Sequence, residues 1–475
     1  MERKPGHDLV VTVRGARQAQ AAASWAQREI WGVISWLGDQ PQSFTMREMV
    51  PVPEGVTVAG VGRALEEVVA RVDVLRTRLV MDATGLRQEV DGSGTLTVPV
   101  WSAAPDRVIE DAKELVAAMT ATVFDLAEQW PVRFALVLAD ETPAALVLNV
   151  SHAAVDAIGL ALLKTELRDA LAGVPVEPVE SRWQPLDQAA YEASEPGRRR
   201  SRRAVRFRED LLGEVPESLV PPSSAPPHTP RIVQVDIESS AVAVAAELLA
   251  DRQRVSTSAV LLAAQAAVVS HHTGADPAFL TLIVGGRVER RLQTMIGPVV
   301  QNGLFRVDVG TGSFTDLVTR CYRQALLTYQ HGNHDTVELA EAQRRVATRR
   351  GFVPQVGVFF NDAREQQRWS GLPQVRSAPQ ELAEDLAALC RDTRIEYVTG
   401  WEQQDLTVFL SVSDASGAAA LQLRVDTAYL GVEDARRILA GIESLLVAAA
   451  VGDLDMRHAG QVLGVRPAAG PTGSD

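Results

Sequence analysis

"NVSHAAVDAIG", residues 149–159, is a junction between two kinds of sequence. It follows the apolar run Ala144–Val150 and leads into a helix-like stretch, Leu160–Ala172. His152 and Asp156 stand four residues apart at that junction. A histidine beside an apolar strand is commonly a hydrogen-bonded core residue. A strand end opening into a loop, however, is also where pre-organised reactive groups sit. The small neighbours Ala153, Ala154 and Ala157 leave room for a substrate beside the ring. No Ser or Cys nucleophile partner is adjacent, and the chain has no G-x-S-x-G elbow, phosphate-binding G-x-x-x-x-G-K-[ST] loop or H-E-x-x-H helix. Imidazole titrates near neutrality, which suits removing a proton from an attacking amine or hydroxyl. Such a base is most useful against an acyl donor that is already activated, as a thioester is. Asp156 has a plainer reading too, as the cap of the following helix.

Composition narrows the classes around this junction. The 475 residues are 46% hydrophobic and 23% charged, a globular mixture long enough for several domains. No apolar run approaches the ~20 residues needed to span a bilayer, and "MERKPGHDLVVTVRG" lacks a secretory pattern. The two cysteines, Cys321 and Cys390, lie far apart without neighbouring histidines, against a disulfide framework or a zinc site. A net charge of −13 argues against general nucleic-acid binding. The expectation is a soluble cytoplasmic protein with no metal and no membrane or nucleic-acid partner.

Helical spacing marks residues 18–37, the start of 57–82, and 105–121, while "WPVRFALVLADETPAALVLNV" reads as a hairpin. Between about 173 and 230, "GVPVEPVESRWQPLD" and "EVPESLVPPSSAPPHTP" are linker-like and enclose the basic, helical "GRRRSRRAVRFREDLL". A second series starts at 231: a strand, helices at 239–250 and 256–272, the strands "FLTLIVGG" and "LFRVDV", and a helix at 314–330. The strands "QVGVFFN", "DLTVFLSVSD" and "AALQLRV" and a helix at 432–450 complete it. The expected organisation is a lobe at 1–175 carrying the His/Asp stretch, a linker at 176–230, a second lobe at 231–460 and a disordered tail at 461–475. Hairpins mixed with strand–helix alternations favour an α/β class built as two-layer sandwiches with mixed sheets.

"SHAAVDA", Ser151–Ala157, resembles a degenerate form of the HHxxxDG motif of nonribosomal peptide synthetase condensation domains, relatives of chloramphenicol acetyltransferase. The company it keeps is collinear. "SWAQREIWGVISWL" resembles the family's first helix, "VDVLRTRL" its H-x-x-L-R-T-x-F segment with Asp73 close to the His, and "FDLAEQWPVRFALV" the stretch before the motif. "GGRVERRLQTMIGPVVQNGLFRVDV", "VPQVGVFFND" and "QDLTVFLSVSD" resemble later family segments, in order, across roughly residues 20–450. The resemblance implies two acetyltransferase-like lobes in a V-shaped pseudodimer, with a tunnel reached by a carrier-bound substrate from each face. It implies that His152 is the catalytic histidine and that Asp156 orients the loop. Arg287 is then the arginine pairing with Asp156 from the other lobe.

Two positions depart from the family pattern. Ser151 replaces the first His, and a hydroxyl can still bond nearby backbone. Ala157 replaces Gly and loses access to φ > 0. Both bear on whether this member is catalytic. The basic run of residues 197–208 has a plain reading as a solvated helix and a sharper one, through Arg199, Arg202, Arg203 and Arg206, as a docking face for an acidic carrier. "SHHTG" and "HGNHD" read as structural, and Trp25, Trp31 and Trp36 as core. With neither a carrier motif nor an adenylation loop in the sequence, the expectation is a free-standing condensation enzyme needing no cofactor of its own. Its thioester would be carried on the phosphopantetheine of an acyl or peptidyl carrier protein, and its nucleophile would be an amine or a hydroxyl. The alternatives are an acyl-CoA-dependent acyltransferase and an inactive recruitment module.

Overall fold

The structure is a computed structural model and describes residues 2–3, 8–38, 44–175, 182–364 and 368–463. Its internal contacts define two units. The first is Met1–Ser201 with Gly285–Gln301, and the second is Arg202–Val284 with Asn302–Asp475. The division falls inside one helix, Glu195–Leu212. The chain therefore leaves the second unit once, at Gly285, to complete the first.

A five-stranded sheet organises the first unit, in the order Glu2–Arg3, Val100–Ala103, Val132–Ala139, Thr142–Ser151, Thr45–Pro51. Val100–Ala103 runs parallel to Val132–Ala139, and the other pairs are antiparallel. The two central strands read as almost unbroken apolar runs because helices cover both faces. Alternate residues Phe134, Leu136, Leu146, Leu148 and Val150 enter the larger core, where the helices Val58–Arg71 and Ala157–Leu171 pack. Their neighbours Ala135, Val137, Ala145 and Val147 enter a smaller core with Ala112 and Leu115 of the helix Val108–Thr120. The period of two sorts the side chains between the layers.

The first long helix spans Trp25–Leu37 rather than 18–37. Ser24 and Gln27 close a capping box at its start, and Ala19–Ala22 pair instead as a strand with Gly85–Val90. Trp25 is buried as expected, but Trp36 is 50% exposed, so the tryptophan spacing overstates the core. The stretch expected as a linker contains the helices Pro185–Ala193 and Glu195–Leu212. Glu192 in the former is buried and accepts from the backbone N–H of Trp25 at 2.8 Å, which ties this helix to the first unit. Residues 176–181 of that stretch lie outside the described residues.

The second unit holds a seven-stranded mixed sheet. Its order is Gln301–Val307, Ala278–Val284, Val358–Asp362, Val408–Ser413, Ala419–Asp426, Ile232–Ser239, Arg394–Trp401. Val358–Asp362 is parallel to both neighbours. The helix Thr257–Thr273 is buried nearly all round, since the helices Ser240–Gln253, Phe314–Gln330 and Val432–Val451 and the strand Ala278–Val284 surround it. The edge strand Arg394–Trp401 and the helices Thr336–Arg350 and Pro379–Cys390 were not marked by sequence pattern. The edge strand shows why: most of its residues are exposed, so no apolar alternation announces it. The chain is helical to Leu463, and the remainder of the expected tail lies outside the described residues. Among the described residues, no helix is long and apolar enough to cross a membrane.

Candidate active site

The strand Thr142–Ser151 is flanked in its sheet by Val132–Ala139 and Thr45–Pro51, so its end is fixed from both sides. Ser151 pairs opposite Thr45 and donates its N–H to Pro131 O at 2.9 Å. The chain then turns sharply, with Ala154 N–H donating to Ser151 O at 2.9 Å and Ala153 N–H to Ser151 Oγ at 3.3 Å. The serine hydroxyl thus staples the turn. Ala153, Ala154 and Val155 are buried, which anchors the loop from below, while His152 is half-buried.

Three contacts hold His152. Its N–H donates to Phe44 O at 2.8 Å, its ring stacks on Phe44 at 5.9 Å between centroids, and its Nδ1 lies 2.8 Å from Val155 O. A carbonyl can only accept, so Nδ1 carries the proton and the lone pair is on Nε2. This is the tautomer a general base requires.

Asp156 is occupied on both oxygens. Oδ1 accepts from Gly159 N–H at 2.7 Å, capping the helix Ala157–Leu171, and from Arg287 Nη2 at 2.7 Å. Oδ2 accepts from Val299 N–H at 2.9 Å. Arg287 gives its other Nη donors to Leu292 O, Met295 O and Gly297 O, at 2.6–2.8 Å, while its Nε is buried without a partner. Both side chains are 6% exposed. The pair brings Asp156 and Arg287 together as expected, with one correction. Gly285–Gln301 belongs to the first unit, so the pair lies within that unit rather than between two lobes.

Close packing of this returning segment involves residues that the motif reading did not single out. A Cβ on Gly159 would lie 3.1 Å from Gly297 O and 3.2 Å from Asp156 Oδ1, and one on Gly297 only 2.8 Å from Pro185 Cγ. Arg291 lies over the rings of Tyr191 at 3.9 Å and Trp183 at 4.8 Å, while Glu289 pairs with Arg200 and Arg291. Gln301 donates to Glu29 at 2.9 Å. Ala157, in place of the family's glycine, opens the helix as an exposed residue. The non-glycine residues with positive φ are Asp140 and Arg254 among those described, so nothing in the backbone at 157 calls for glycine.

Arg199, Arg202, Arg203 and Arg206 are all exposed on the helix Glu195–Leu212. Arg199 pairs with Glu195 at 3.5 Å, whereas Arg208 is buried and donates to Asn302 O. Asp73 is buried against Arg76 at 2.8 Å, and burial raises its carboxyl above the ordinary range against the pull of Arg76 and Arg17. That guanidinium also holds Val69 O, Ala70 O and Arg17 O, so the "VDVLRTRL" segment is a structural anchor. His331 stacks on Phe207, and His334 is buried with Nδ1 2.9 Å from Gly332 O. His272 lies in the last turn of the helix Thr257–Thr273, and burial lowers its pKa, which disfavours the imidazolium there. Burial pushes the Cys321 thiol up to about 12, which leaves it a poor nucleophile. Among the described residues, no three or more His, Cys, Asp or Glu are grouped to hold a metal ion.

Comparison with known proteins bears on this geometry. A family profile described as Condensation domain matches residues 17–385. AMB antimetabolite synthetase AmbB of Pseudomonas aeruginosa is 28% identical over 335 residues, covering 68% of this chain and 25% of that protein. The chain thus spans a quarter or less of the curated relatives it matches. Among solved structures, the X-domain from teicoplanin biosynthesis superposes with a TM-score of 0.68 at 18% identity, over 93% of this chain and 99% of that one. The SgcC5 protein from Streptomyces globisporus superposes with a TM-score of 0.66 at 19% identity, over 92% and 99%. These likenesses establish the fold.

Proposed function

Because the chain belongs to the condensation-domain family of nonribosomal peptide biosynthesis, we propose that it joins a carrier-bound acyl or aminoacyl thioester to an amine or hydroxyl, with His152 as the base. The observation that carries this reading is the Nδ1 contact to Val155 O, which leaves the lone pair on Nε2 of a half-buried ring. The nucleophile gives its proton to Nε2 as it attacks the thioester carbonyl. The tetrahedral intermediate then collapses, the carbon–sulfur bond breaks, and the imidazolium returns the proton to the leaving thiolate. Asp156 does not touch substrate in this scheme, since both its oxygens are committed. Ser151, Asp156 and Arg287 instead keep the loop in place. The protein supplies no cofactor; the thioester belongs to the phosphopantetheine arm of a carrier protein. The exposed Arg199, Arg202, Arg203 and Arg206 would receive that carrier's acidic surface.

The test is intact-protein mass spectrometry on acyl-loaded carrier proteins mixed with the chain and a panel of amines and alcohols. Enzyme-dependent loss of the acyl mass from the carrier, with a matching product, is expected. Equal transfer from acyl-CoA without any carrier would favour the acyl-CoA-dependent alternative. No transfer from any donor would favour a recruitment role.

A further inference from the structure

The ring beside the imidazole belongs to an apolar surface that the motif does not include. Phe44 packs with Trp31, Ile34, Phe124 and Val300 around a small core that contains Ala153, the residue after His152. All five are half-buried, although their underlying neighbours Ala23, Ile30, Leu79, Leu86 and Leu126 are fully buried. The cluster therefore has a packed side and an open side. Arg133 covers one face of Phe124 at 4.0 Å and donates to Thr122 O, Val123 O and Gln129 Oε1.

We infer that this surface is the wall against which one substrate lays an apolar group, alkyl or aryl, and that Phe44 both holds the imidazole and begins the wall. The inference rests on the reading of His152 as the base. A base must reach its proton within about 3 Å, so the reacting atoms lie close to Nε2. The ring stacked on that imidazole, at 5.9 Å, is then among the first surfaces their substituents meet. A charged or strongly hydrated substituent would lose water against the apolar side chains of Trp31, Ile34, Phe44 and Val300. An apolar one gains from burial.

The test uses S-alkyl pantetheine thioethers, which cannot transfer an acyl group, titrated calorimetrically into the full chain. From propyl to hexyl, affinity should rise about three- to fourfold per methylene, and a carboxylate-ended analogue should bind at least tenfold more weakly than the hexyl one. Phe124→Ser, which leaves the His152 contacts untouched, should reduce the increment below twofold per methylene, and Phe124→Leu should restore most of it. Phe44→Leu should keep the increment yet lower kcat more than it raises KM, as loss of imidazole positioning requires. Affinity independent of chain length, no binding of any analogue, or an increment unchanged in Phe124→Ser overturns the wall. A wild-type chain that shows the increment but transfers no carrier-bound acyl group leaves the wall standing and removes the condensation reading instead.

Discussion

The two titratable residues of the motif divide its work: His152 presents a lone pair on Nε2, and Asp156 uses both oxygens to hold backbone and Arg287. With both partners 6% exposed, removing one strands the other as a buried charge. Arg287→Ala and Asp156→Ala should each lower unfolding stability by roughly 3–5 kcal/mol, read from urea midpoints. The double Asp156→Ala/Arg287→Ala change should cost less than the sum of the singles; full additivity would mean the groups do not interact. His152 and Asp156 were legible in the sequence through side-chain type and spacing, and Arg287 through the family resemblance. Phe44 and Val299 were not, since one acts by its carbonyl and ring and the other by its backbone N–H. No pattern of residue types announces a backbone donor 143 positions away.

The strand, turn and helix around residues 142–171 were readable as elements because apolar periodicity and an N-cap mark them. The return of Gly285–Gln301 was not readable, as it is a tertiary choice made by Arg287 and by two glycines at close approach. Gly159→Ala should therefore push against Gly297 O and cost about 1–3 kcal/mol as overpacking does. An unchanged melting temperature would show that the segment yields freely. Just before the helix Thr336–Arg350, His334 supplies a pH test. Burial first, and Arg208 second, hold its imidazole down to about 3. It therefore folds neutral, whereas unfolded chains bind the proton below about pH 6.5. Its contribution is whole above that pH and shrinks as pH falls towards 3, by roughly 1.4 kcal/mol per unit. His334→Gln should flatten the stability loss between pH 6.5 and 5; parallel curves for variant and wild type would refute the burial argument.

Across the whole molecule a net charge of −13 would repel an acidic carrier, so the proposed docking would have to use a local positive surface. Replacing Arg202, Arg203 and Arg206 with Glu should raise KM for a carrier-bound donor, chiefly through slower association, and should scarcely alter use of a small pantetheine thioester. The wild-type advantage should also fade with salt, because exposed charges are screened within ~10 Å at 0.1 M. Equal losses on both substrates would assign the helix a structural role. The α/β class and the family were legible along most of the chain, while the position of the division inside a helix was not, since helical spacing continues through it. The proposed chemistry requires His152 in turnover. The direct measurement compares the wild type with His152→Ala for product formation from a carrier-bound thioester, at matched unfolding midpoints. A rate lower by about 10² or more is expected from loss of a general base. A variant that folds and works at the wild-type rate would contradict it.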